Sequence, residues 1–186
     1  MTESVKIEHP KKNGKAFLYF VLSAVIFLVS SVVSFSVMAE DAYISFRYAE
    51  NIGSGMGPVF NWGDVRVEGY SNPSWVAILA IFAKFGIDII IVSRCLGLLF
   101  GILTLLELIL IVRYCSSGNS SYGFLAAIIL ATSTPFLFWS QTGLETGLFA
   151  YLLILSIRLV ILERDQPERV QWSILPIVLL SLTRPE

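Results

Sequence analysis

Long apolar runs separated by short polar stretches dominate the chain. A transmembrane helix needs about 20 predominantly apolar residues to cross about 30 Å of hydrocarbon. Two runs, 16–39 and 89–112, reach that length, and the first contains no charged side chain. With three shorter runs, the predicted spans are 16–39, 89–112, 123–138, 144–162 and 172–182. The pattern predicts an all-α fold, a multi-pass transmembrane helix bundle over 16–186 that follows a polar tail at 1–15.

The first run is predicted to remain attached as a membrane anchor. Its end, Val37-Met38-Ala39, also satisfies the small-residue rule for signal-peptidase cleavage. The apolar region of a cleaved signal is about 7–15 residues long, whereas this run has more than 20. Its length therefore favours an uncleaved anchor over a signal peptide.

Basic residues predict which side of the membrane the N-terminus occupies. Lys6, Lys11, Lys12 and Lys15 all precede the first span. Lys and Arg in short flanks are enriched on the cytoplasmic side, and the first helix usually dominates. We therefore expect a cytoplasmic N-terminus, which places the polar loop 40–73 on the outer face.

This outer loop holds most of the polar sequence of the chain. It begins with a predicted short helix from Glu40-Asp41 to Gly53 and continues with the glycine-rich run GSGMG. That run lacks the strand-turn-helix setting of a phosphate-binding loop, so we interpret it as a flexible turn. Alternating valines and a turn-like NWGD centre predict a small hairpin over 59–68.

A second short helix is predicted over 74–85, directly after the loop. Ser71-Asn72-Pro73 supplies a capping residue and a proline suited to the first helical turn. At 1.5 Å per residue this helix is about 18 Å long, too short to span. We expect it at the outer interface, with Trp75 and Phe82 in the lipid.

Composition agrees with a membrane protein and argues against other classes. The chain is 55% apolar and 15% charged, whereas soluble domains are about 45–50% apolar and about 25% charged. Its formal net charge of -1 gives no basic field that would recruit nucleic acid. The lone His9 supports no His/Cys metal site. Cys95 and Cys115 lie about 30 Å apart along one helix, too far for a disulfide.

Glu40 and Asp41 stand where the first span leaves the membrane. A carboxylate there can cap the next helix, or it can act as a general base at the membrane surface. The residues alone favour capping. Arg47, six positions beyond Asp41, is on a different helical face and suits a snorkelling or phosphate-steering cation.

Two further carboxylates lie in or beside apolar segments. Glu107 is deep in the second long run, where an acidic residue is costly and is a functional hypothesis by default. We favour a structural role for it, as a hydrogen-bonding group between helices. Glu145, in the polar turn WSQTGLET, suits an N-cap or first-turn position and lies on the same side as Asp41.

The loop motifs resemble those of a known enzyme family. They read EDAYISFRYAENIGSGMGPVFNWGDVRVEGYSNPSW, then WSQTGLET, then a final TRPE. They are similar to multi-spanning GT-C glycosyltransferases of bacteria, particularly the arabinofuranosyltransferase-like and Rgt-like branch. Members of that branch often read DDAYISFRYA, a Gly-rich turn, VFN, VEGY, NP-W, SGLET and LTRPEG. The resemblance covers about residue 16 to the end, and the loop block is its specific part.

The resemblance implies an enzyme of the bacterial inner membrane that takes a sugar from a polyprenyl-phosphate donor. The sugar passes with inversion to a lipid or glycan hydroxyl on the outer face. The base of the family maps onto Glu40 and Asp41, although Glu40 stands where relatives have Asp. The resemblance leaves a divalent metal open as cofactor. Other motif positions, interpreted as substrate-binding, are Arg47, Glu68, Tyr70, Asn72, Glu145 and Arg184.

Arg47 and Arg184 are the candidates for contact with the donor phosphate, because a guanidinium offers a bidentate fork. Arg184 suits an interfacial anchor equally well. The expected partners are the lipid-linked donor, the acceptor and membrane lipids, with no nucleic acid.

The extent of the chain differs from that of the family. GT-C enzymes carry more than the five spans predicted here, and the sequence ends within the TRPE motif. We therefore expect the N-terminal part of a longer enzyme, inactive by itself. A non-catalytic membrane scaffold or inactive remnant is the competing class. A transporter is disfavoured because the polar residues cluster in an outer loop rather than at broken helices.

Overall fold

The structure is a computed structural model that describes residues 14–34, 37–61, 63, 69–164, 168 and 170–185. Every regular element in these ranges is an α-helix, as the apolar pattern predicts. The helices are α1 (Gly14–Ser34), α2 (Ala42–Gly53), α3 (Pro73–Lys84), α4 (Ile89–Cys115), α5 (Ser120–Ala131), α6 (Thr134–Trp139), α7 (Thr146–Glu163) and α8 (Ile174–Thr183). The predicted tail as far as Asn13, and most of the hairpin predicted within 59–68, lie outside the described residues.

Three of the helices, α1, α4 and α7, are long and apolar enough to cross a membrane. They correspond to the predicted runs 16–39, 89–112 and 144–162. The longest, α4, has 27 residues and is about 40 Å long at 1.5 Å per residue. The expectation of membrane-spanning helices is therefore met in length and composition for these three.

The run 123–138, predicted as a span, forms two helices rather than one continuous helix. Helix α5 ends at Ala131, and α6 begins again at Thr134. Pro135 occupies the first turn of α6, where its missing N–H is tolerated. The Thr132 hydroxyl donates to the Ile128 carbonyl at 2.9 Å, which helps to satisfy the end of α5. The last predicted run, 172–182, overlaps α8 (Ile174–Thr183), which is only 10 residues long.

Local signals place the start of α4 and the end of α3 where the sequence predicts them. The Asp88 carboxylate accepts from the backbone N–H groups of Ile90 and Ile91, at 2.8 and 3.2 Å. Gly86, just past the end of α3, has φ +69°, a conformation that glycine adopts at no steric cost. These two residues turn the chain from α3 into α4.

The central helix is α4, which packs against α1, α3, α5 and α7. One apolar cluster surrounds its first turns and joins α2, α3 and α7, with Phe46, Trp75 and Leu148 among its buried members. A second surrounds its later turns and includes Phe27 and Leu105. Both ends of the bundle are therefore packed around one helix.

The placement predicted for Trp75 in lipid is wrong. Its side chain is fully buried in the first cluster, and its indole N–H donates to the Gly143 carbonyl at 3.0 Å. Phe82 packs partly buried against the same cluster. The cause is the neighbour of α3: helix α2 covers it, so the apolar face of α3 meets protein there. Ala42, Phe46 and Ala49 of α2 are buried in the same cluster.

Small residues allow α4 to approach the turn that precedes α7. A Cβ on Gly97 would collide with the Ser140 backbone carbonyl, and one on Gly147 would lie 3.2 Å from the Gly97 carbonyl oxygen. A backbone hydrogen bond from Ala39 to Thr142, 3.0 Å long, ties the same turn to the segment that follows α1. The turn 140–145 is therefore held from two sides, which fixes the residues at its edge.

Candidate functional site

A cavity of about 510 Å³ opens at the end of the bundle where α4 and α7 begin. Four separate segments of the chain line it. They are the start of α2 (Asp41, Ile44 and Ser45), the stretch 69–72, the turn into α7 (Trp139 and 144–146), and Arg184 after α8. The cavity thus brings together five of the eight residues that the sequence analysis selects: Asp41, Tyr70, Asn72, Glu145 and Arg184.

Three helices begin at residues that line this cavity. Asp41, Asn72 and Glu145 are the N-cap residues of α2, α3 and α7, and none of their side chains makes a capping hydrogen bond. Asp88, which lies outside the cavity lining, does cap its helix. Helix N-termini carry partial positive charge and exposed backbone donors, which favour anions nearby. The three cap side chains are therefore available for contacts other than capping.

Asp41 and Glu40, which the sequence leaves as alternative bases, differ in their position relative to the cavity. Asp41 is exposed and lines the cavity. Glu40 is also exposed but is not among the described residues that line the cavity. The capping role favoured for this pair does not describe the Asp41 side chain, which makes no such hydrogen bond. A carboxylate in this position can accept a proton or a hydrogen bond from a molecule in the cavity.

A buried group of hydrogen bonds forms one wall of the cavity. The Asn72 Nδ2 atom donates to Glu145 Oε2 at 2.7 Å and to Ser45 Oγ at 3.1 Å. The Ser45 hydroxyl also lies 3.2 Å from Asn72 Oδ1, to which it can donate. Ser45, Asn72 and Glu145 come from three different helices, so these bonds fix the relative positions of α2, α3 and α7.

Aromatic side chains supply apolar surface beside the polar wall. Tyr70 packs against the buried Tyr48 with ring centroids 4.7 Å apart. Trp139 is 44% exposed at the cavity and contacts Phe138 edge-on, with centroids 5.2 Å apart. The cavity therefore combines two carboxylates and amide and hydroxyl groups with partly exposed aromatic rings.

Arg184 reaches the cavity because the end of α8 is fastened to the start of α3. The hydroxyl groups of Ser74 and Thr183 lie 2.7 Å apart, and Thr183 is fully buried. Arg184 follows directly as an exposed residue that lines the cavity. Among the described residues that line the cavity, it is the single cation.

Arg47 has a different environment from the one that the resemblance implies. Its Nε atom donates to the Phe60 carbonyl at 3.0 Å. Asn51 Nδ2 donates to the carbonyls of Val59 and Phe60, at 2.7 and 3.0 Å. Arg47 is exposed and is not among the described residues that line the cavity, and its hydrogen bond to Phe60 fastens the segment after α2. Glu68, also selected from the sequence, lies outside the described residues.

The glycine-rich run after α2 forms a turn, as predicted. Gly55 and Gly57 have φ values of +82° and +83°, which other residues rarely adopt. The run follows a helix and is not part of the described cavity lining. It therefore serves to reverse the chain between α2 and the segment held by Asn51.

Glu107 is paired with a residue on another helix. Arg158 of α7 contacts the Glu107 carboxylate through Nε and through Nη2, the latter 3.2 Å from Oε1. The expected role between helices is confirmed. The sequence alone does not identify Arg158 as the partner, because the pairing depends on how α4 and α7 face each other.

Ser45 and Trp139 also line the cavity, but they are not among the residues selected from the sequence. Ser45 lies four positions after Asp41, a spacing that places two side chains on the same helical face, so a signal for it existed. Trp139 is the first residue of the motif WSQTGLET, which also contains Glu145, so a signal existed for it as well. In the part of the chain that the structure describes, no cluster of three or more His, Cys, Asp or Glu side chains could hold a metal ion.

Comparison with known proteins adds no assignment to this geometry. No family model matches the chain, and no curated protein or solved structure is significantly similar to it. The evidence for a function therefore consists of the residues of the cavity and the motifs that contain them.

Proposed function

We propose that the chain forms a sugar-transfer site of a GT-C-type membrane glycosyltransferase. In this proposal a sugar passes from a polyprenyl-phosphate donor to a lipid or glycan hydroxyl on the outer face of the bacterial inner membrane. One observation supports it above the others. Motifs far apart in sequence, around residues 41, 70–72, 145 and 184, line a single cavity.

Asp41 is the proposed general base. Its carboxylate takes the proton of the acceptor hydroxyl, and the hydroxyl oxygen attacks the anomeric carbon of the donor sugar. The bond between that carbon and the phosphate oxygen breaks, so the electron pair leaves with the polyprenyl phosphate. Attack from the face opposite the leaving group inverts the anomeric configuration.

Arg184 is the proposed ligand of the departing phosphate. A guanidinium can donate two parallel hydrogen bonds to phosphate oxygens, and fixed positive charge stabilises the negative charge that develops on them. The N-termini of α2, α3 and α7 add partial positive charge at the same cavity. This cationic contribution balances the carboxylates of Asp41 and Glu145, which would otherwise repel the phosphate.

The position of the cavity suits a lipid-linked substrate. It lies at the ends of α4 and α7, two helices that are long and apolar enough to span a membrane. A polyprenyl chain dissolves in the hydrocarbon beside such helices, while its phosphate and sugar remain at the interface. In the proposed orientation the N-terminus is cytoplasmic and the cavity faces outward.

A transfer assay with chromosomal substitutions tests this function. Membranes from the native host are supplied with radiolabelled undecaprenyl-phosphate sugars, and label entering the acceptor fraction is measured. Asp41→Asn is expected to lower transfer about 10²- to 10⁴-fold, the usual effect of losing a general base. Glu50→Gln is the matched control, because Glu50 is exposed on the same helix and does not line the described cavity. It should leave transfer unchanged.

Glu40→Gln separates the two neighbouring carboxylates. If Asp41 is the base, Glu40→Gln should reduce transfer far less than Asp41→Asn. Equal transfer by wild type and Asp41→Asn would refute the proposed base. Donor binding without transfer by the wild-type protein would instead favour a non-catalytic lipid-binding subunit.

A further inference from the structure

Ser45, Asn72 and Glu145, which form one wall of the cavity, are almost completely buried. Their exposed fractions are 4%, 5% and 8%. Buried polar groups cost free energy unless they are hydrogen-bonded, so each such group needs a partner. These three satisfy one another across three helices rather than bonding within their own helices.

The side-chain amide of Asn72 makes its hydrogen bonds to the other two residues of this wall. Its Nδ2 atom has two hydrogens, and the two acceptors within reach are Ser45 Oγ and Glu145 Oε2. Its Oδ1 atom lies within reach of the Ser45 hydroxyl. Asn72 is therefore a fixed support, and it has little capacity left for a molecule in the cavity.

Glu145 has acceptor capacity that these bonds do not use. An ionised carboxylate offers about four acceptor positions, and among the described residues only Asn72 donates to its side chain. No bond is made to the backbone of α7, although Glu145 is its N-cap residue. Because Glu145 lines the cavity, its remaining lone pairs can accept hydrogen bonds from a molecule bound there.

The surroundings of this carboxylate indicate the chemistry of that molecule. A sugar ring presents hydroxyl donors at its edge and an apolar C–H surface on its face. Trp139 and Leu144 give the cavity apolar surface, and hydroxyl-to-carboxylate hydrogen bonds are among the stronger ones in proteins. A phosphate would be repelled by Glu145 and drawn toward Arg184.

We propose that Glu145 binds hydroxyl groups of the donor sugar and that Asn72 and Ser45 are positioning residues that hold its carboxylate. This inference rests on the proposed function, since it assigns the sugar of the donor to one wall of the same cavity. It predicts that Glu145 contributes to affinity only when the lipid phosphate carries a sugar.

Two binding measurements on the purified full chain in nanodiscs test this role. The first probe is undecaprenyl phosphate alone, and the second is undecaprenyl phosphate carrying glucose or arabinose. Wild-type protein should bind at least one sugar-bearing probe more tightly than the bare lipid phosphate. Glu145→Gln should weaken binding of that probe about ten- to hundredfold, the usual effect of losing a hydrogen bond to a charged group. Binding of the bare lipid phosphate should change little.

Glu145→Gln is suited to this test because it can preserve the wall. A glutamine carbonyl can still accept from Asn72 Nδ2, while the anionic acceptor facing the cavity is lost. Glu50→Gln is the control for the same chemical change outside the cavity and should affect neither probe. Ser45→Ala removes a hydrogen-bonding partner of Asn72 and leaves Glu145 itself unchanged. It should weaken the sugar-dependent affinity several-fold.

An exchanged pair distinguishes binding from simple structural support. Asn72→Asp combined with Glu145→Gln reverses donor and acceptor, so it should recover thermal stability relative to Asn72→Asp alone. Sugar-dependent affinity should stay low, because the anionic group has moved to position 72. Full recovery of that affinity would show that only the hydrogen bond matters, and would overturn the assignment to Glu145.

The outcomes also separate this inference from the proposed function. If wild-type protein binds none of the probes, the proposed function fails and the inference fails with it. If it binds the sugar-bearing probes more tightly than bare lipid phosphate and Glu145→Gln retains that difference, only the inference fails. If all probes bind equally, the cavity holds lipid phosphate and has no sugar site at Glu145.

Discussion

Replacing one member of the Glu107–Arg158 pair with leucine is expected to destabilise the helix bundle, and replacing both should restore most of the loss. The side chains of Arg158 and Glu107 are 22% and 9% exposed. Breaking a buried ion pair by removing one partner typically costs about 3–5 kcal/mol, whereas replacing both partners by apolar residues is often neutral. The reason is that a single substitution leaves an uncompensated charge between apolar helices.

The two single substitutions should differ in size. Arg158 is five positions before the end of α7 at Glu163, which is about 8 Å along the helix. Its long side chain can extend toward the polar region once Glu107 is gone. Glu107 is eight positions before the end of α4 at Cys115, about 12 Å, and has a shorter side chain. Glu107→Leu should therefore cost near the lower end of the range and Arg158→Leu near the upper end.

Thermal unfolding in nanodiscs, followed by the fraction that remains folded on size-exclusion chromatography, measures these effects. At about 2–4 °C per kcal/mol for a chain of this length, the single variants should lose about 6–20 °C. Arg164→Leu is the control, because Arg164 is exposed just beyond α7. If the losses of the two single variants simply add in the double variant, the pair is not coupled and the reasoning is refuted.

Three further substitutions test the packing around α4. Trp75→Ala should destabilise the folded protein by about 3–5 kcal/mol in the same assay, because the indole is buried and donates a hydrogen bond to the Gly143 carbonyl. A loss of stability below about 1 kcal/mol would instead indicate a lipid-facing ring. Gly97→Ala should reduce the yield of monodisperse protein, since the added Cβ meets the backbone of Ser140 rather than a side chain that can move; a wild-type yield would contradict that contact. Asp88→Ala should cost about 1 kcal/mol through loss of the N-cap of α4, and an unchanged melting temperature would contradict it.

The parts of the fold that the sequence predicts well are those set by local properties. The lengths of α1 and α4 follow from uncharged or nearly uncharged apolar runs, and no partner is needed to recognise them. Asp88 and Gly86 also act within a few residues of their own positions. Such features depend on backbone hydrogen bonding and on φ preferences, which a single segment reveals.

The features that the sequence misses depend on contacts between distant segments. Trp75 is suited to an interfacial belt by its chemistry, and its burial depends on α2 covering α3. The break between α5 and α6, by contrast, falls at Thr132-Ser133-Thr134-Pro135, a polar stretch with a proline that is a local signal for the end of a helix. From the sequence alone, Arg158 suits the cytoplasmic flank of a span. Its pairing with Glu107 depends on the packing of α7 against α4.

In the candidate site, too, single residues can be selected from local sequence, whereas their arrangement depends on contacts between distant segments. Asp41, Asn72 and Glu145 can each be selected from motifs, and each is readily explained as a helix cap. Their common cavity, and the absence of capping bonds from their side chains, become visible only in three dimensions. Arg47 belongs to the same motif as Asp41, yet its spacing turns it toward the segment at Phe60.

The most direct test of the central claim is to map where a lipid-linked sugar binds. A photoreactive undecaprenyl-phosphate sugar with a diazirine on the sugar is crosslinked to the protein in nanodiscs, and the labelled peptides are identified by mass spectrometry. We expect labelling at 69–72 and 139–146, reduced by excess unlabelled donor and by Glu145→Gln. Labelling confined to exposed apolar positions of α1, or labelling that excess donor does not reduce, would contradict a sugar-transfer site in this cavity.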